Sequence, residues 1–340
     1  MAGRGRRWGW NCRCGRTGLC QVDSVVMQRL TSAPPPISLG AILRALKFVL
    51  LFALLACSPK RYALKQVASA LSSNGEGGAF ARDDDPELVR DAVPFALKTM
   101  ESLADQLPDD VGLRLGLARG FTQYGFAFVQ QPAELGAAPD AAAGELARAR
   151  KLYLRARGYG LEGMKLARGV TEDELRKAPA QAAAKFQKED VELLYWTFAP
   201  WAAAIAANKR DLELVGDVPV VAALLDRALA LDESFDQGAL HEFAITFDPA
   251  RPEDTTPARQ KAHFERARQL AQGEKISALV TYAQAVSGPA QDKKQYEALL
   301  KEAAGYDVDQ PKARKNRLAN VLAQRRAVYL LKHEDDVFSD

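Results

Sequence analysis

Apolar residues recur at helical spacing over most of the chain, and stretches that alternate between apolar and polar residues are almost absent. A period near 3.6 residues places apolar side chains on one face of a helix, whereas a half-buried strand requires a period of two. The sequence therefore predicts an all-α fold. The clearest stripe begins after Pro86 and consists of Leu88, Ala92, Ala96, Met100, Leu103 and Leu107.

Helix starts and stops divide the chain into successive helical hairpins. Asp85 can cap a helix that begins at Pro86, Pro94 should kink that helix, and residues 111–129 should return beside it. The acidic run Asp83–Asp85 is interpreted as this cap, with calcium binding or partner docking as the minor alternative. The same outline recurs in three later pairs, at 221–229 and 235–247, 263–272 and 274–286, and 295–304 and 312–331.

Small residues matched between the later hairpins are spaced at intervals that approach a known helical repeat. Ala228, Ala267 and Ala303 are separated by 39 and 36 residues, close to the tetratricopeptide period of about 34. We therefore predict stacked antiparallel helical hairpins, a tetratricopeptide-like α-solenoid, over residues 83–340. The curved surface of such a stack would bind a peptide, a protein partner or a ligand.

A short apolar run precedes the helical region and ends in a cysteine. The run at 48–56 follows Arg44 and Lys47, and its last three residues with Cys57 read Leu-Leu-Ala-Cys. It is too short to span a bilayer core of about 30 Å, but it fits a bacterial lipobox. We predict that residues 27–56 are a lipoprotein signal peptide and that acylated Cys57 anchors the chain in a lipid bilayer. The alternative is a buried apolar segment that happens to end in cysteine.

The first residues of the chain precede a complete signal peptide. Met27 would start a signal of ordinary length, so we interpret residues 1–26 as an extension from a start codon placed too far upstream. A metal-binding cluster of Cys12, Cys14 and Cys20 is the alternative. A second ligand pair at zinc spacing is absent from the sequence, which weighs against that alternative.

The mature chain would begin at Cys57. Ser58 follows this position instead of an acidic residue, which favours the outer membrane in bacteria that sort lipoproteins by it. Residues 57–82 should form a lipid-anchored N-terminal segment with a first helix and a Ser/Gly-rich stretch. Because Cys57 is the only cysteine after the signal, an intrachain disulfide is excluded and packing must stabilise the fold.

Charge and hydrophobicity exclude two broad classes of protein. The first 56 residues contain eight basic residues and one acidic residue, while the other 284 contain 38 basic and 42 acidic residues. The net charge of +3 therefore arises from the signal region, and the sequence does not predict nucleic-acid binding. No uncharged apolar stretch of about 18 residues is present, which excludes a multi-span membrane protein.

Motifs for catalysis and cofactor binding are absent from the sequence. It contains no GxSxG, Walker A, GxGxxG or EF-hand pattern, and the pair His241-Glu242 lacks the second histidine of HExxH because Ile245 stands there. We expect no enzyme, no cofactor and no metal site, with a carboxylate-based enzyme of unrecognised type as the last alternative. We interpret His241 as a partly buried histidine that bonds a neighbouring hairpin, with ligand contact as the minor alternative.

Two aromatic clusters are the candidate ligand-binding features, one at 121–128 and one at 195–201. Aromatic side chains at helical spacing usually pack between helices, whereas aromatic walls with a few amides can line a pore or cleft. Both interpretations stay open at the level of sequence. The candidate lining residues are Phe121, Gln123, Tyr124, Tyr195, Trp196, Trp201 and His241.

Two arginines on the last predicted helix, Arg325 and Arg326, are the remaining residues of interest. We expect them to be solvated or paired with Asp335 and Asp336. Partner docking is the minor alternative.

Residues 57–340 resemble the T-component family of TRAP transporters (TatT). The sequence departs from the family pattern at Pro200, where the family more often has a small or aromatic residue. The resemblance rests on ordered blocks over nearly the whole segment: FARDDDPELVRDAVPFALKTMESL (80–103), GFTQYGFAFVQ (120–130), LYLRARGYGLEGM (152–164), LLYWTFAPWAAAIAANKRDLELVGDVPVVAALLDRALALDESFDQGALHEF (193–243), QDKKQYEALL (291–300), LANVLAQRRAVYLL (318–331) and DDVF (335–338).

The resemblance implies a lipid-anchored periplasmic protein built from degenerate tetratricopeptide hairpins. It further implies association with the substrate-binding P component of a TRAP transporter and assembly as a trimer with a ligand-accessible central pore. The solutes it implies are organic anions or hydrophobic molecules. The competing hypothesis is a general tetratricopeptide-like scaffold lipoprotein of the envelope, which would share the fold and the anchor but bind peptides or other lipoproteins.

Overall fold

The computed structural model describes residue 40 and residues 58–72, 78–136, 138–251 and 256–338. Cys57, the extension at 1–26 and all but one residue of the predicted signal peptide lie outside the described residues, so their roles stay predictions. The chain divides into two units, residues 1–59 and 60–340, and the second carries the fold. Helices build this fold and no β-strand occurs in the described ranges, which confirms the all-α prediction.

Eleven helices of the described residues carry labels here, and the remaining short helices and turns connect them. The helix that begins at Val111 continues through a π-turn at Phe126–Gln130 into Gln131–Glu134, and the helix that begins at Ser277 continues through a π-turn at Ala283–Ser287. The labelled helices are α1 (Ser58–Ser72), α2 (Pro86–Gln106), α3 (Val111–Gly125), α4 (Pro139–Arg168), α5 (Val191–Ala207), α6 (Val218–Asp232), α7 (Ala239–Phe247), α8 (Pro257–Ala271), α9 (Ser277–Tyr282), α10 (Lys293–Ala304) and α11 (Arg317–Lys332). The connecting helices and single turns are Glu172–Lys177, Pro179–Ala183, Lys188–Asp190, Leu212–Val215, Phe235–Gln237, Asp248–Ala250, Pro311–Asn316 and Glu334–Asp336.

Side-chain caps fix where several helices begin. Asp85 accepts a hydrogen bond from the Leu88 N–H at 3.0 Å, and Pro86 occupies the first position of α2, as predicted. Helices α3 and α10 are capped by aspartates in the same way. Pro94 lies inside α2, which continues past it, so the helix tolerates the missing N–H at this position.

The buried face of α2 differs at its N-terminal end from the predicted stripe. Leu88 is 60% exposed, whereas Val89 is 2% exposed and begins the column that packs inward. Counting back from the buried Met100 by helical turns leads through Leu97 to Val89. This column carries larger apolar side chains than the one through Ala92, and burying the larger side chains is more favourable. The predicted stripe is therefore wrong by one position at its beginning and correct from Met100 onward.

The hydrophobic core has three parts that follow one another along the chain. The first packs around Leu113 and Leu117, the second around Trp201 and Leu224, and the third around Leu300. Neighbouring helices pack in pairs, α3 on α4, α4 on α5, α5 on α6, α7 on α8 and α10 on α11. Because α4 contributes to the first two parts and α7 to the last two, the three parts join end to end.

Helix α1 is attached to the fold at its C-terminal end. Ala68 is buried in the first part of the core, and Arg119 on α3 donates a hydrogen bond to the carbonyl oxygen of Ser72. A Cβ atom on Gly116 would lie 3.0 Å from Ser72 Cβ, so the missing side chain lets α1 approach α3 closely. The helix that follows the predicted acylation site is therefore held by side-chain and backbone contacts to α3.

The last helix returns to the first hairpin. Arg325 on α11 pairs with Glu87 on α2 at 2.6 Å. Arg326 pairs with Glu134, at the end of the α3 extension, at 2.9 Å. Arg325 is exposed, as one of the two expectations has it, but the predicted pairing of these arginines with residues 335–336 is wrong, because they pair with carboxylates of the first hairpin and its extension.

Backbone and side-chain contacts add to this return. The Leu318 N–H donates to the carbonyl oxygen of Ala81 at 3.1 Å, and Arg317 pairs with Asp84 at 2.8 Å. In an open solenoid each repeat contacts only its neighbours, so the repeat pattern did not predict these ties. The four contacts of α11, through Arg317, Leu318, Arg325 and Arg326, are called the closing contacts below.

Candidate functional site

Tyr195, in the N-terminal half of α5, has a partly exposed aromatic ring. The ring of Tyr195 meets that of Trp196 edge to face at a centroid distance of 4.8 Å, and it lies 5.4 Å from the ring of Phe235. Tyr195 and Phe235 are half-buried, and Trp196 is buried. The three rings form one surface between α5 and the turn that precedes α7.

A lysine and two carboxylates border these rings. Lys275 Nζ lies 2.9 Å from Asp236 Oδ2. Burial alone would lower the pKa of Lys275, but the carboxylates of Asp236 and Glu242 raise that pKa above its ordinary value, so the ammonium group stays charged. Burial raises the pKa of the Tyr195 hydroxyl, so it stays protonated at neutral pH. We call Tyr195, Trp196, Phe235, Asp236 and Lys275 the polar–aromatic patch.

The turn before α7 has an uncommon backbone conformation. The φ angle is +41° at Asp236, +57° at Gln237 and +90° at Gly238. Glycine adopts this region freely, whereas other residues there cost on the order of 1–3 kcal/mol each. The side chain of Gln237 offsets this cost by donating to Glu274 and accepting from Asn316 Nδ2 at 2.6 Å. These bonds hold Asp236 in place beside Lys275.

Glu242 is fixed by two hydroxyl groups at α9. Its carboxylate accepts hydrogen bonds from Ser277 Oγ at 2.7 Å and from Thr281 Oγ1 at 3.1 Å. Both partners are neutral hydroxyl groups, so neither is a counter-charge to the Glu242 carboxylate. The charges around the rings of the patch are therefore set by one lysine and two carboxylates.

His241 is buried and bonds a neighbouring helix, in agreement with the favoured interpretation from sequence. Its Nδ1 lies 2.8 Å from His263 Nδ1 on α8, and its Nε2 lies 3.2 Å from Glu233 Oε2. Burial lowers the pKa of His241 below its ordinary value, and Glu233 opposes this shift. His263 Nε2 in turn lies 3.3 Å from Asp248. Both ring nitrogens of His241 are engaged by the protein, so this side chain holds α7 to α8.

Trp201, on the same helix as Tyr195, lies inside the core. It is completely buried, and its Nε1 donates to Asp217 Oδ2 at 3.2 Å. The guanidinium of Arg157 lies 4.0 Å from the indole ring centre, and Arg176 donates two hydrogen bonds to the same carboxylate. Since the protein supplies every one of these partners, the burial of Trp201 supports the packing interpretation. We call Arg157, Arg176, Trp201 and Asp217 the arginine–tryptophan cluster.

The first aromatic cluster divides between core and surface. Phe121 is buried and its ring stacks on that of Tyr159 at 6.0 Å. Tyr124 is half-buried with its ring 5.8 Å from that of Phe128, and Gln123 is exposed. In the described part of the chain no ring contact joins these residues to the polar–aromatic patch, so the two predicted clusters form separate features.

Two open cavities lie apart from the seven candidate residues. One, of about 500 Å³, is lined by Arg82, Glu274 and the turn at 311–315. The other, of about 380 Å³, is lined by Arg176, Asp217 and the residues around Pro219. Neither cavity is lined by a side chain that the sequence singled out as a pore or cleft residue.

Within the described ranges, no three His, Cys, Asp or Glu side chains are placed to hold a metal ion. None of the described helices is both long and apolar enough to cross a bilayer.

Sequence reasoning missed Asp236 and Lys275. They lie 39 residues apart on different hairpins, and no local motif connects them. The available signals were indirect: Asp236 precedes Gly238 in a turn, and Lys275 directly precedes the apolar segment that begins at Ile276. Only the packing of α7 against α9 brings these two side chains to the rings of α5.

Comparison with known proteins gives two findings. A family model described as TRAP transporter T-component matches residues 82–338. A relative from Treponema pallidum (strain Nichols), named "Uncharacterized protein", is 30% identical over 304 residues, which cover 84% of this chain and 94% of the relative. The range matched by the family model contains the polar–aromatic patch, the arginine–tryptophan cluster and, apart from Ala81, the closing contacts.

Proposed function

Because this chain belongs to the TRAP transporter T-component family, we propose that it is a lipid-anchored periplasmic accessory protein that docks the substrate-binding P component of its transport system. Family membership gives the chain a role in TRAP transport, and the family is a transport accessory component rather than an enzyme family. The docking, the anchor and the passage of a ligand are the finer parts of the proposal.

The observation that supports a ligand-binding role is the polar–aromatic patch. Binding sites for small molecules combine apolar walls with a few fixed polar groups that orient the ligand. Here the half-buried ring of Tyr195 and the charged Lys275 are held together by a strained, cross-linked turn. A solute with an apolar body and a polar end would contact the rings with the first and the lysine with the second.

The proposed anchor is acylated Cys57, in the outer membrane as Ser58 favours. Helix α1 begins directly after this cysteine, and its C-terminal end is held to α3 through Arg119. An anchor at Cys57 would therefore be connected to the folded domain by a helix of 15 residues.

The proposed assembly is a closed homo-oligomer, a trimer, with a central pore that passes the ligand. Closed cyclic symmetry is the usual outcome when identical subunits associate. We propose that Tyr195 and Trp196 of the second aromatic cluster face this path, with Gln123 and Tyr124 as the candidates from the first. Phe121, Trp201 and His241 have their side chains packed or bonded within the protomer and serve the scaffold.

Co-purification tests the docking. Full-length lipoprotein is extracted in detergent and captured together with the P component encoded for the same transporter, and the mass of the complex is measured by light scattering. We expect a stable complex and a trimeric T component. Recovery of peptides or other lipoproteins without the P component would favour the general envelope scaffold instead, and a strictly monomeric mass at high concentration would contradict the trimer.

Ligand contact is tested separately from docking. Tyr195→Ala should weaken binding of the solute that accompanies the P component while docking of that component is retained. Tyr62→Ala, which alters an exposed tyrosine on α1, is the matched control and should change neither. Equal ligand binding by both variants would contradict a role for the patch.

The anchor is tested by Cys57→Ser and cell fractionation. Loss of the thiol should block acylation and the normal processing of the signal, so that no processed, membrane-associated form remains. Continued membrane association with normal processing would show that the anchor is assigned to the wrong residue.

A further inference from the structure

The cavity of about 500 Å³ lies where the two ends of the fold meet, and its lining is strongly basic. Four of its six lining residues carry positive charges, and Glu274 is the one acidic residue among them. The lining residues are Arg82, Glu274, Pro311, Lys312, Arg314 and Lys315. We call this cavity the basic cleft.

The short helix at Pro311–Asn316 turns its basic side chains outward. Ala313 and Asn316, three residues apart, are buried, and Asn316 donates to Gln237 at 2.6 Å. The residues between and beside them, at 312, 314 and 315, are exposed. A helix with three residues per turn places positions three apart on the same side, so burying 313 and 316 directs the three basic side chains toward solvent.

The opposite wall of the basic cleft is positioned by a closing contact. The Leu318 N–H bonds to the carbonyl oxygen of Ala81, and the Arg82 N–H bonds to that of Gly78 at 3.2 Å. These backbone bonds place Arg82 across from the basic side chains of Pro311–Asn316. The cleft therefore exists only when the two ends of the described fold are in contact.

The charges of the basic cleft are not neutralised from within. Glu274 pairs with Lys315 at 3.2 Å, while the side chains of Arg82, Lys312 and Arg314 form no ion pair within the described residues. Arginines on adjacent α11 behave differently, since all three of its guanidinium groups pair with carboxylates. Three unpaired cations held on one concave surface create a local positive potential in a chain whose folded part carries a small net negative charge.

The exposure of these side chains favours a protein over a small anion as the occupant. A site for a small molecule encloses most of its ligand and orients it with fixed, largely buried polar groups. In the basic cleft the unpaired cations are on long, exposed side chains at an open rim. Such groups suit an acidic segment that approaches by electrostatic attraction and exchanges water for carboxylate contacts.

We propose that the basic cleft is the docking surface for an acidic segment of the P component, an inference that rests on the proposed function. Carboxylates of that segment contact Arg82, Lys312 and Arg314. Because the cleft is formed by the closing contacts, docking at this surface would also favour the closed arrangement of the two ends.

Charge reversal tests this surface in the full-length lipoprotein with its native P component. Lys312→Glu/Arg314→Glu should weaken the affinity at least about tenfold at low ionic strength, because repulsion replaces attraction at the contact. Lys209→Glu/Arg210→Glu is the matched control: it makes the same charge change at two exposed residues that do not line the cleft, and it should change the affinity less than about twofold. Lys312→Gln/Arg314→Gln should give an intermediate loss, and melting curves of all variants should overlay that of the parent.

The outcomes separate the cleft from the proposed function. A parent protein that does not bind the P component would contradict the proposed function itself. A parent that binds, with equal affinity for the charge-reversed cleft and the control, would contradict the docking surface alone. If citrate raises the melting temperature of the parent but not of the cleft variant, while P-component affinity is unchanged, the cleft is a small-anion site and the proposal is wrong.

Discussion

Helix α5 carries two aromatic residues, Tyr195 and Trp201, that lie less than two turns apart, and their surroundings differ. At Trp201 the same protomer supplies the acceptor of the indole N–H, the arginine stacked on the ring and a bidentate arginine–carboxylate pair. At Tyr195 the ring is half-buried and lies beside charges that belong to other hairpins. The comparison shows that the polar partners of an aromatic side chain, more than its residue type, separate a packing role from a candidate binding role.

The largest expected effect is the difference in stability between substitutions at Trp201 and at Tyr195. Trp201→Ala should lower the free energy of unfolding by about 3–5 kcal/mol, because it leaves a cavity and removes one of the hydrogen-bond donors to Asp217. Tyr195→Ala should cost about 1–2 kcal/mol, since its side chain is only half-buried. Urea denaturation of the two variants measures both values. Equal losses of unfolding free energy would show that Tyr195 and Trp201 belong to one packed core.

Two glycines on α4 test how closely α4 packs against the part of α5 between Tyr195 and Trp201. A Cβ atom on Gly160 would lie 2.4 Å from Thr197 Oγ1 and 3.0 Å from Thr197 Cα, so Gly160→Ala should cost about 1–3 kcal/mol by forcing the helices apart. Gly158→Ala is the control on the same helix. Apart from its chain neighbours and its own helix backbone, no atom of the described residues lies within 4 Å of its added Cβ, and the substitution should stabilise the fold by up to about 1 kcal/mol. Melting temperatures that shift in the same direction would contradict the close contact of α4 with α5.

Mild acid should affect the side of α5 that faces α7 more than the arginine–tryptophan cluster. Burial lowers the pKa of His241 below its ordinary 6.5, so below about that pH the unfolded chain binds more protons than the folded one. The stability that depends on neutral His241 is present above pH 6.5 and is lost as pH falls through the lower folded-state pKa. Its partners on the packed helices are His263, Glu233 and Arg266.

The measurement is the free energy of unfolding at pH 7.5 and pH 5.5. His241→Gln should reduce the difference between the two values, whereas His333→Gln, at an exposed histidine, should leave that difference as in the parent. An undiminished difference in His241→Gln would assign the pH dependence to other groups.

The smallest expected effect sharpens the comparison at the patch itself. Tyr195→Phe keeps the ring contacts with Trp196 and Phe235 and removes only the hydroxyl, so stability should change by less than about 0.5 kcal/mol. Solute binding should fall if the hydroxyl contacts the ligand. A large loss of stability would show that the hydroxyl is a structural group, like the indole N–H of Trp201.

Local features of the fold were predictable from the sequence because their causes are local. Asp85 and Pro86 determine the start of α2 through neighbouring residues, and helical periodicity identifies an all-α chain. The sequence did not show whether the column of Leu88 or that of Val89 is buried, because burial depends on which column meets α3 in three dimensions.

The candidate site depended on contacts that no sequence window contains. Lys275 reaches Asp236 across 39 residues, and Arg325 reaches Glu87 across 238. In the sequence, the carboxylates at 335–336 are nearer to Arg325 than Glu87 is. Only the return of α11 to the first hairpin brings Arg325 to Glu87 instead. The core role of Trp201 was equally hidden, since its partner Asp217 follows on a different helix.

The closing contacts also have a consequence for the order in which the protein folds. Loop closure becomes more costly as the intervening chain lengthens, and contacts between residues far apart in sequence slow folding. Glu87 is synthesised long before Arg325, so the first hairpin must wait for the last helix before its ion pairs with α11 form. The closing contacts should therefore be the last contacts of this domain to form. A chain truncated before α11 would leave α2 without them, so α2 would open readily and be exposed to proteases.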